Sequence, residues 1–176
     1  YKGFDFFLQK VKVINNLRFA VSMTIRIFLT GGTFDKKYDA LNGELAFKES
    51  HIEEILNIGR SRLDVQITTL MMRDSLDMND EHREQIRRNC AKAKEDKIII
   101  THGTDTMVET ARVLSDIKGK TIVLTGAMVP FIVNRSDALF NLGSALAFVQ
   151  TLPHGVYIAM NGRYFKWDNA RKNKKK

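Results

Sequence analysis

Ile98, Ile99 and Ile100 form an unbroken β-branched run that ends at Thr101 and passes into the turn His102-Gly103-Thr104-Asp105. A run this short, apolar at every position, predicts a strand buried on both faces, as in a parallel sheet. Thr106 and Glu109 then show the Thr-x-x-Glu spacing of a capping box, which predicts a helix opening directly after the turn. A strand running into a helix start gathers a hydroxyl, a carboxylate and unpaired N–H groups at its carboxyl end. In open α/β sheets ligands bind there, because the strand ends open onto a crevice and the helix N-terminus favours negative charge.

The same alternation recurs along the chain. Residues 24–30 read as a first buried strand running into Gly31-Gly32-Thr33, and residues 65–70 as another that ends in the polar turn around Asp74, Ser75 and Asp77. Residues 121–124 form a further all-apolar candidate ending in Thr125-Gly126-Ala127-Met128, and residues 154–160 a fifth. Between them lie helical patterns. Ser50 and Glu53 offer a capping box ahead of Ile52, Ile55 and Leu56, Asn79 can cap a charged helix running to about Asp96, and apolar periodicity marks residues 107–117 and 134–149. Strand and helix alternating over short connections imply right-handed crossovers. The fold class expected is therefore α/β, a three-layer sandwich with a mainly parallel Rossmann-like or flavodoxin-like sheet. Residues 35–44, which include Tyr38, read as an exposed mobile loop.

With 176 residues the chain suits one domain. Met23 directly precedes the first strand, so residues 1–22 read as an upstream segment and residues 23–176 as the domain with a basic tail. The alternative is a native extension packed on the body. The net charge of +8 is concentrated at the ends: residues 163–176 carry +6, residues 1–22 carry +3, and the stretch between them −1. A nearly neutral body argues against nucleic acid or an anionic membrane as the partner of the folded part. No apolar run approaches the roughly 18 residues of a membrane span, and the lone Cys90 offers neither a disulfide nor metal-ligand spacing. Cys90 sits in a polar helical pattern, so an inert thiol in a reducing, cytoplasmic setting is expected, with no metal and no cofactor.

Hydroxyls recur where the strands stop: Thr33, Ser75, Thr104 beside Asp105, and Thr125. A threonine hydroxyl becomes nucleophilic only when a base takes its proton, and Tyr, Lys, Asp and His are the partners available. Gly31-Gly32 is not a dinucleotide fingerprint, since no G-x-x-G follows.

Gly31-Gly32-Thr33, Asp77-Met78-Asn79-Asp80, His102-Gly103-Thr104-Asp105-Thr106-Met107 and Gly126-Ala127-Met128 together closely resemble the bacterial-type L-asparaginase family, where the same blocks occur in the same order. The resemblance implies hydrolysis of L-asparagine to L-aspartate and ammonia through an acyl-threonine intermediate. It implies Thr33 as nucleophile, Tyr38 as the loop tyrosine that assists it, and Thr104, Asp105 and a lysine as a proton-handling triad. It further implies Asp105 as holder of the α-amino group, Ser75 as binder of the α-carboxylate, and Gly32 and Ala127 as contacts around the reacting amide. Lys172 falls at the triad-lysine position, with Lys166 as its rival.

Two departures from the family's long members stand out. No second domain follows within these residues, which resembles a short single-domain branch, and Leu76 stands after Ser75 where long members often carry glutamine. A homo-dimer or homo-tetramer is expected from the resemblance and from the apolar helix near residue 140. The readings left open are preference for glutamine or another ω-amide, a role in a tRNA-dependent amidotransferase, and a non-catalytic amino-acid sensor.

Overall fold

The computed structural model describes residues 23–39, 44–47 and 50–173. The upstream segment 1–22 and the last three residues lie outside the described part.

β1 (Ile25–Gly31), β4 (Val65–Arg73), β5 (Lys97–Thr101), β6 (Thr121–Thr125) and β7 (Gly155–Met160) are the five strands expected, and all pair in parallel. The sheet runs β4-β1-β5-β6-β7, with β8 (Arg163–Lys166) beyond β7 at the edge. The chain steps outward from β1 to β4 and then crosses back to β5 on the other side of β1. Such a reversal opens a crevice at the carboxyl ends of β1 and β5.

Helices cover both faces, and the strands divide their side chains between them. Ile25, Ile27, Leu29, Ile99 and Val123 pack toward α1 (Ile52–Ile58) and α4 (Ala138–Thr151). Phe28, Ile98, Ile100, Ile122 and Leu124 pack toward α2 (Asp80–Lys92) and α3 (Met107–Val113). The apolar run at the pivotal strand is thus explained by its neighbours: a side chain turned either way meets a helix. Each wholly buried isoleucine of that run contributes about 1.5–3 kcal/mol by leaving water. Cys90 lies in the second layer, and burial pushes its thiol up to about 12, so it is inert.

Four local expectations are corrected. The loop expected over residues 35–44 is instead the end of a 3-10 turn followed by strand β2 (Lys36–Asp39), which pairs antiparallel with β3 (Glu44–Phe47), Tyr38 lying opposite Leu45. The basic tail begins with a sixth strand of the main sheet, β8 (Arg163–Lys166), antiparallel to β7. The Ser50 and Thr106 capping boxes do not form, because α1 is capped at His51, one residue after Ser50, and a long-range contact takes the Thr106 hydroxyl. Ser50 instead accepts from Ile52 N at 3.3 Å, and Thr106 donates to the Ser75 carbonyl at 2.7 Å. Finally, α2 stops at Lys92 and α4 begins only at Ala138. The Asn79 cap does form, with His82 reaching back to the Asn79 amide.

Candidate active site

The carboxyl ends of β1, β4 and β5 meet backbone to backbone. Gly32 has φ +86°, and its amide donates to the Arg73 carbonyl at 3.1 Å. A Cβ there would sit 2.4 Å from Gly103 N, so only glycine lets the turn carrying Thr33 lie against the turn carrying Thr104. Gly103 is crowded from its other side, where a Cβ would lie 2.5 Å from Ser75 Oγ. Three turns that are far apart in sequence are thereby stacked within contact distance.

Thr33, half-buried, opens a short 3-10 turn (Thr33–Asp35) directly after Gly32. Ser75 opens another (Ser75–Asp77), capped by the Asp74 carboxylate, which accepts from Leu76 N at 3.0 Å. The Ser75 hydroxyl is buried and has no hydrogen-bond partner among the described residues. Asp74 also pairs with Lys36 at 2.5 Å, tying the base of the β2-β3 hairpin to the serine turn, and that ammonium holds the Asp74 carboxyl below its ordinary range. Asp35 is wholly buried, and burial raises its carboxyl pKa against the lowering effect of Ser50 and His51.

The His102 turn is fixed from within. His102 Nδ1–H donates to the Gly103 carbonyl at 2.8 Å, and the Thr110 hydroxyl stands 2.8 Å from Nε2. Burial lowers the imidazole pKa to about 4, so the ring is neutral and Nε2 accepts from Thr110.

Asn161 and Gly162, at φ +54° and +73°, turn β7 back into β8. A 3-10 turn (Trp167–Asn169) follows, and Trp167 and Ala170 pack on the α2-α3 layer. This folds the tail over the sheet edge and brings Lys172 to the His102 turn. Lys172 Nζ donates to Thr104 Oγ1 at 2.8 Å and to Asp105 Oδ1 at 2.7 Å. Lys166 is placed differently. It is exposed and in register with Tyr157, three residues short of the carboxyl end of β7, roughly 10 Å away along the strand.

Beside Thr104 and Lys172 opens a cavity of about 520 Å³, walled by Met107, Met128, Met160 and Phe165. Ala127 lies at the end of β6, with its methyl group buried in the α1-α4 layer. The Tyr38 side chain falls outside what is described. Among the described residues no group of His, Cys, Asp and Glu could hold a metal ion, and no helix is long and apolar enough to cross a membrane. Sequence reasoning missed the Lys36–Asp74 pair and the buried role of His102. The pair has no signal in the chain, since its partners lie 38 residues apart.

The parallel sheet thus stacks three hydroxyl-bearing turns at its switch point, with a lysine and an aspartate hydrogen-bonded around one threonine. The family model for the asparaginase N-terminal domain matches residues 24–176, and the chain belongs to the asparaginase family. It is 31% identical over 143 residues to the L-asparaginase of Thermococcus kodakarensis, covering 78% of this chain and 44% of the relative. It is 29% identical over 160 residues to L-asparaginase 1 of Escherichia coli, covering 85% and 47%. The crystal structure of L-asparaginase I from Vibrio cholerae superposes with a TM-score of 0.77, at 27% identity over 86% of this chain and 48% of that one. The chain thus spans a little under half the length of each relative.

Proposed function

We propose that this site hydrolyses the side-chain amide of L-asparagine to L-aspartate and ammonia. The observation that carries the reading is the contact of Lys172 with both Thr104 and Asp105, since it supplies a cation, a hydroxyl and a carboxylate in one hydrogen-bonded unit. Membership of the asparaginase family supports the same chemistry.

In this reading Thr33 Oγ attacks the amide carbon, its proton passing to a base for which Tyr38 is the candidate. The new C–O bond gives a tetrahedral oxyanion, stabilised by backbone N–H groups near Gly32 and Ala127. Collapse breaks the C–N bond and ammonia leaves with the transferred proton. A water, polarised by Thr104 with Lys172 and Asp105 behind it, then attacks the ester, releasing aspartate and restoring the Thr33 hydroxyl. Asp105 also receives the substrate ammonium, and the unpartnered Ser75 hydroxyl gives its hydrogen bond to the α-carboxylate.

The reading includes self-association, supported by α4, which carries no charged residue and leaves Leu139 and Phe140 exposed. Purified protein offered asparagine, glutamine and other ω-amides, with ammonia as readout, tests the proposal. Release from asparagine above the other amides supports it; binding without ammonia release would instead make the site a sensor.

A further inference from the structure

Asp137 and Asn141 stand one turn apart at the start of α4 and reach away from their own helix. The Asp137 carboxylate accepts from Met128 N, at 3.0 Å to each oxygen, and from Val129 N at 2.9 Å. It also accepts from Asn141 Nδ2 at 2.8 Å. Asn141 is wholly buried, and it uses both ends of its amide. Nδ2 donates to the Gly126 carbonyl at 2.9 Å, and Oδ1 accepts from Asn161 N at 2.9 Å.

These six bonds hold two segments the reaction depends on. Gly126 O and Met128 N flank Ala127, so each of the two peptide units that meet at Ala127 is held by one of its polar groups. Asn161 opens the left-handed turn through which β8 and Lys172 are delivered. One buried amide therefore ties the end of β6 to the end of β7, and a carboxylate behind it fixes the loop that β6 enters. A buried side chain that satisfies three backbone or carboxylate partners has no freedom to follow a displaced loop.

We propose that Asp137 and Asn141 are positioning residues that hold the Ala127 peptide at the reacting amide and set the turn leading to Lys172. The inference rests on the amidohydrolase reading for its catalytic consequence, while the brace itself is testable without substrate. Because Ser75 and Asp105 hold the substrate α-groups independently of this network, losing the brace affects turnover more than binding.

The experiment compares Asp137→Ala, Asp137→Asn and Asn141→Ala with Leu146→Ala, a core truncation in the second half of the same helix, by kinetics, thermal melting and amide hydrogen exchange. Asp137→Ala lowers kcat on asparagine on the order of 100-fold, with KM moving far less. Asp137→Asn, which keeps an acceptor oxygen, recovers part of the loss. Exchange accelerates at Met128 and Val129 in Asp137→Ala and at Asn161 in Asn141→Ala. Leu146→Ala melts earlier yet keeps kcat. A folded Asp137→Ala protein with the kcat of Leu146→Ala would overturn the positioning role, and unchanged exchange at Met128 would overturn the brace. Wild-type protein that releases no ammonia would count against the amidohydrolase reading, leaving the exchange measurement to decide the brace alone.

Discussion

Lys172 Nζ lies 2.8 Å from Thr104 Oγ1, across 68 residues of sequence. The contact exists because β8 and the turn after it fold the tail back over β7, and Lys166 on the same tail is directed elsewhere. On the proposed role of Lys172 in the Thr104–Asp105 unit, Lys172→Met lowers ammonia release by roughly 1,000-fold or more, as for the loss of one member of a catalytic unit. Lys166→Ala stays within about twofold of wild type, since exposed substitutions away from such contacts have small effects. Steady-state ammonia assays on the two variants separate the lysines.

Ser75 sits under Gly103 with its hydroxyl unpaired, and Leu76 beside it is largely exposed. A hydrogen bond to a charged group contributes about 1.5–3 kcal/mol. On the proposed role of Ser75 as α-carboxylate binder, Ser75→Ala raises KM for asparagine roughly tenfold or more while kcat changes less, because such a contact is made equally in ground and transition states. Leu76→Gln places a polar side chain beside the Ser75 turn and, on the same proposed role, lowers KM. Initial rates over a range of asparagine concentrations check both.

Gly32 and Gly119 both have positive φ, yet only Gly32 lies against other backbone. Gly119→Ala costs about 1–2 kcal/mol, the strain of a left-handed residue. Gly32→Ala adds to that strain a clash with Gly103 and exceeds it by at least about 2 kcal/mol. Urea unfolding of the two variants gives the comparison.

His102 is neutral in the folded protein, with a pKa near 4 against an ordinary value of 6.5. Between those values the unfolded chain binds the proton and the folded protein does not, so stability is full above about pH 6.5 and falls as the pH drops toward 4. The loss amounts to roughly 3 kcal/mol. His102→Gln flattens this part of the profile, leaving the steeper fall at lower pH where Asp74, Glu95 and Asp116 take up protons and release Lys36, Arg26 and Arg87. Denaturant melts at half-unit pH steps measure both curves.

The layered sheet was legible in the sequence because Ile98, Ile99 and Ile100 or Ile122, Val123 and Leu124 have only one stable setting, buried between two layers of helices. The β2-β3 hairpin was not, because Lys-Lys-Tyr-Asp has no apolar face and each strand is only four residues long; the Asn42-Gly43 dipeptide between them was the turn signal that could have found it. β8 was obscured by charge: Arg163 and Lys166 bracket the strand and face solvent, while Phe165 alone turns partly inward. At the site, the turns bearing Thr33, Ser75 and Thr104 were marked by position at strand ends. Their stacking through Gly32 and Gly103 was not, since close backbone approach depends on sheet order and leaves no periodic trace.

In the proposed reaction Thr33 forms a covalent ester that Thr104, Lys172 and Asp105 help to hydrolyse. Acid quenching of Lys172→Met during incubation with asparagine, followed by peptide mass mapping, reads that step directly. An aspartyl ester on the peptide carrying Thr33, absent in Thr33→Ala, is the result expected. An ester on Thr104, or wild-type ammonia release by Thr33→Ala, would contradict it.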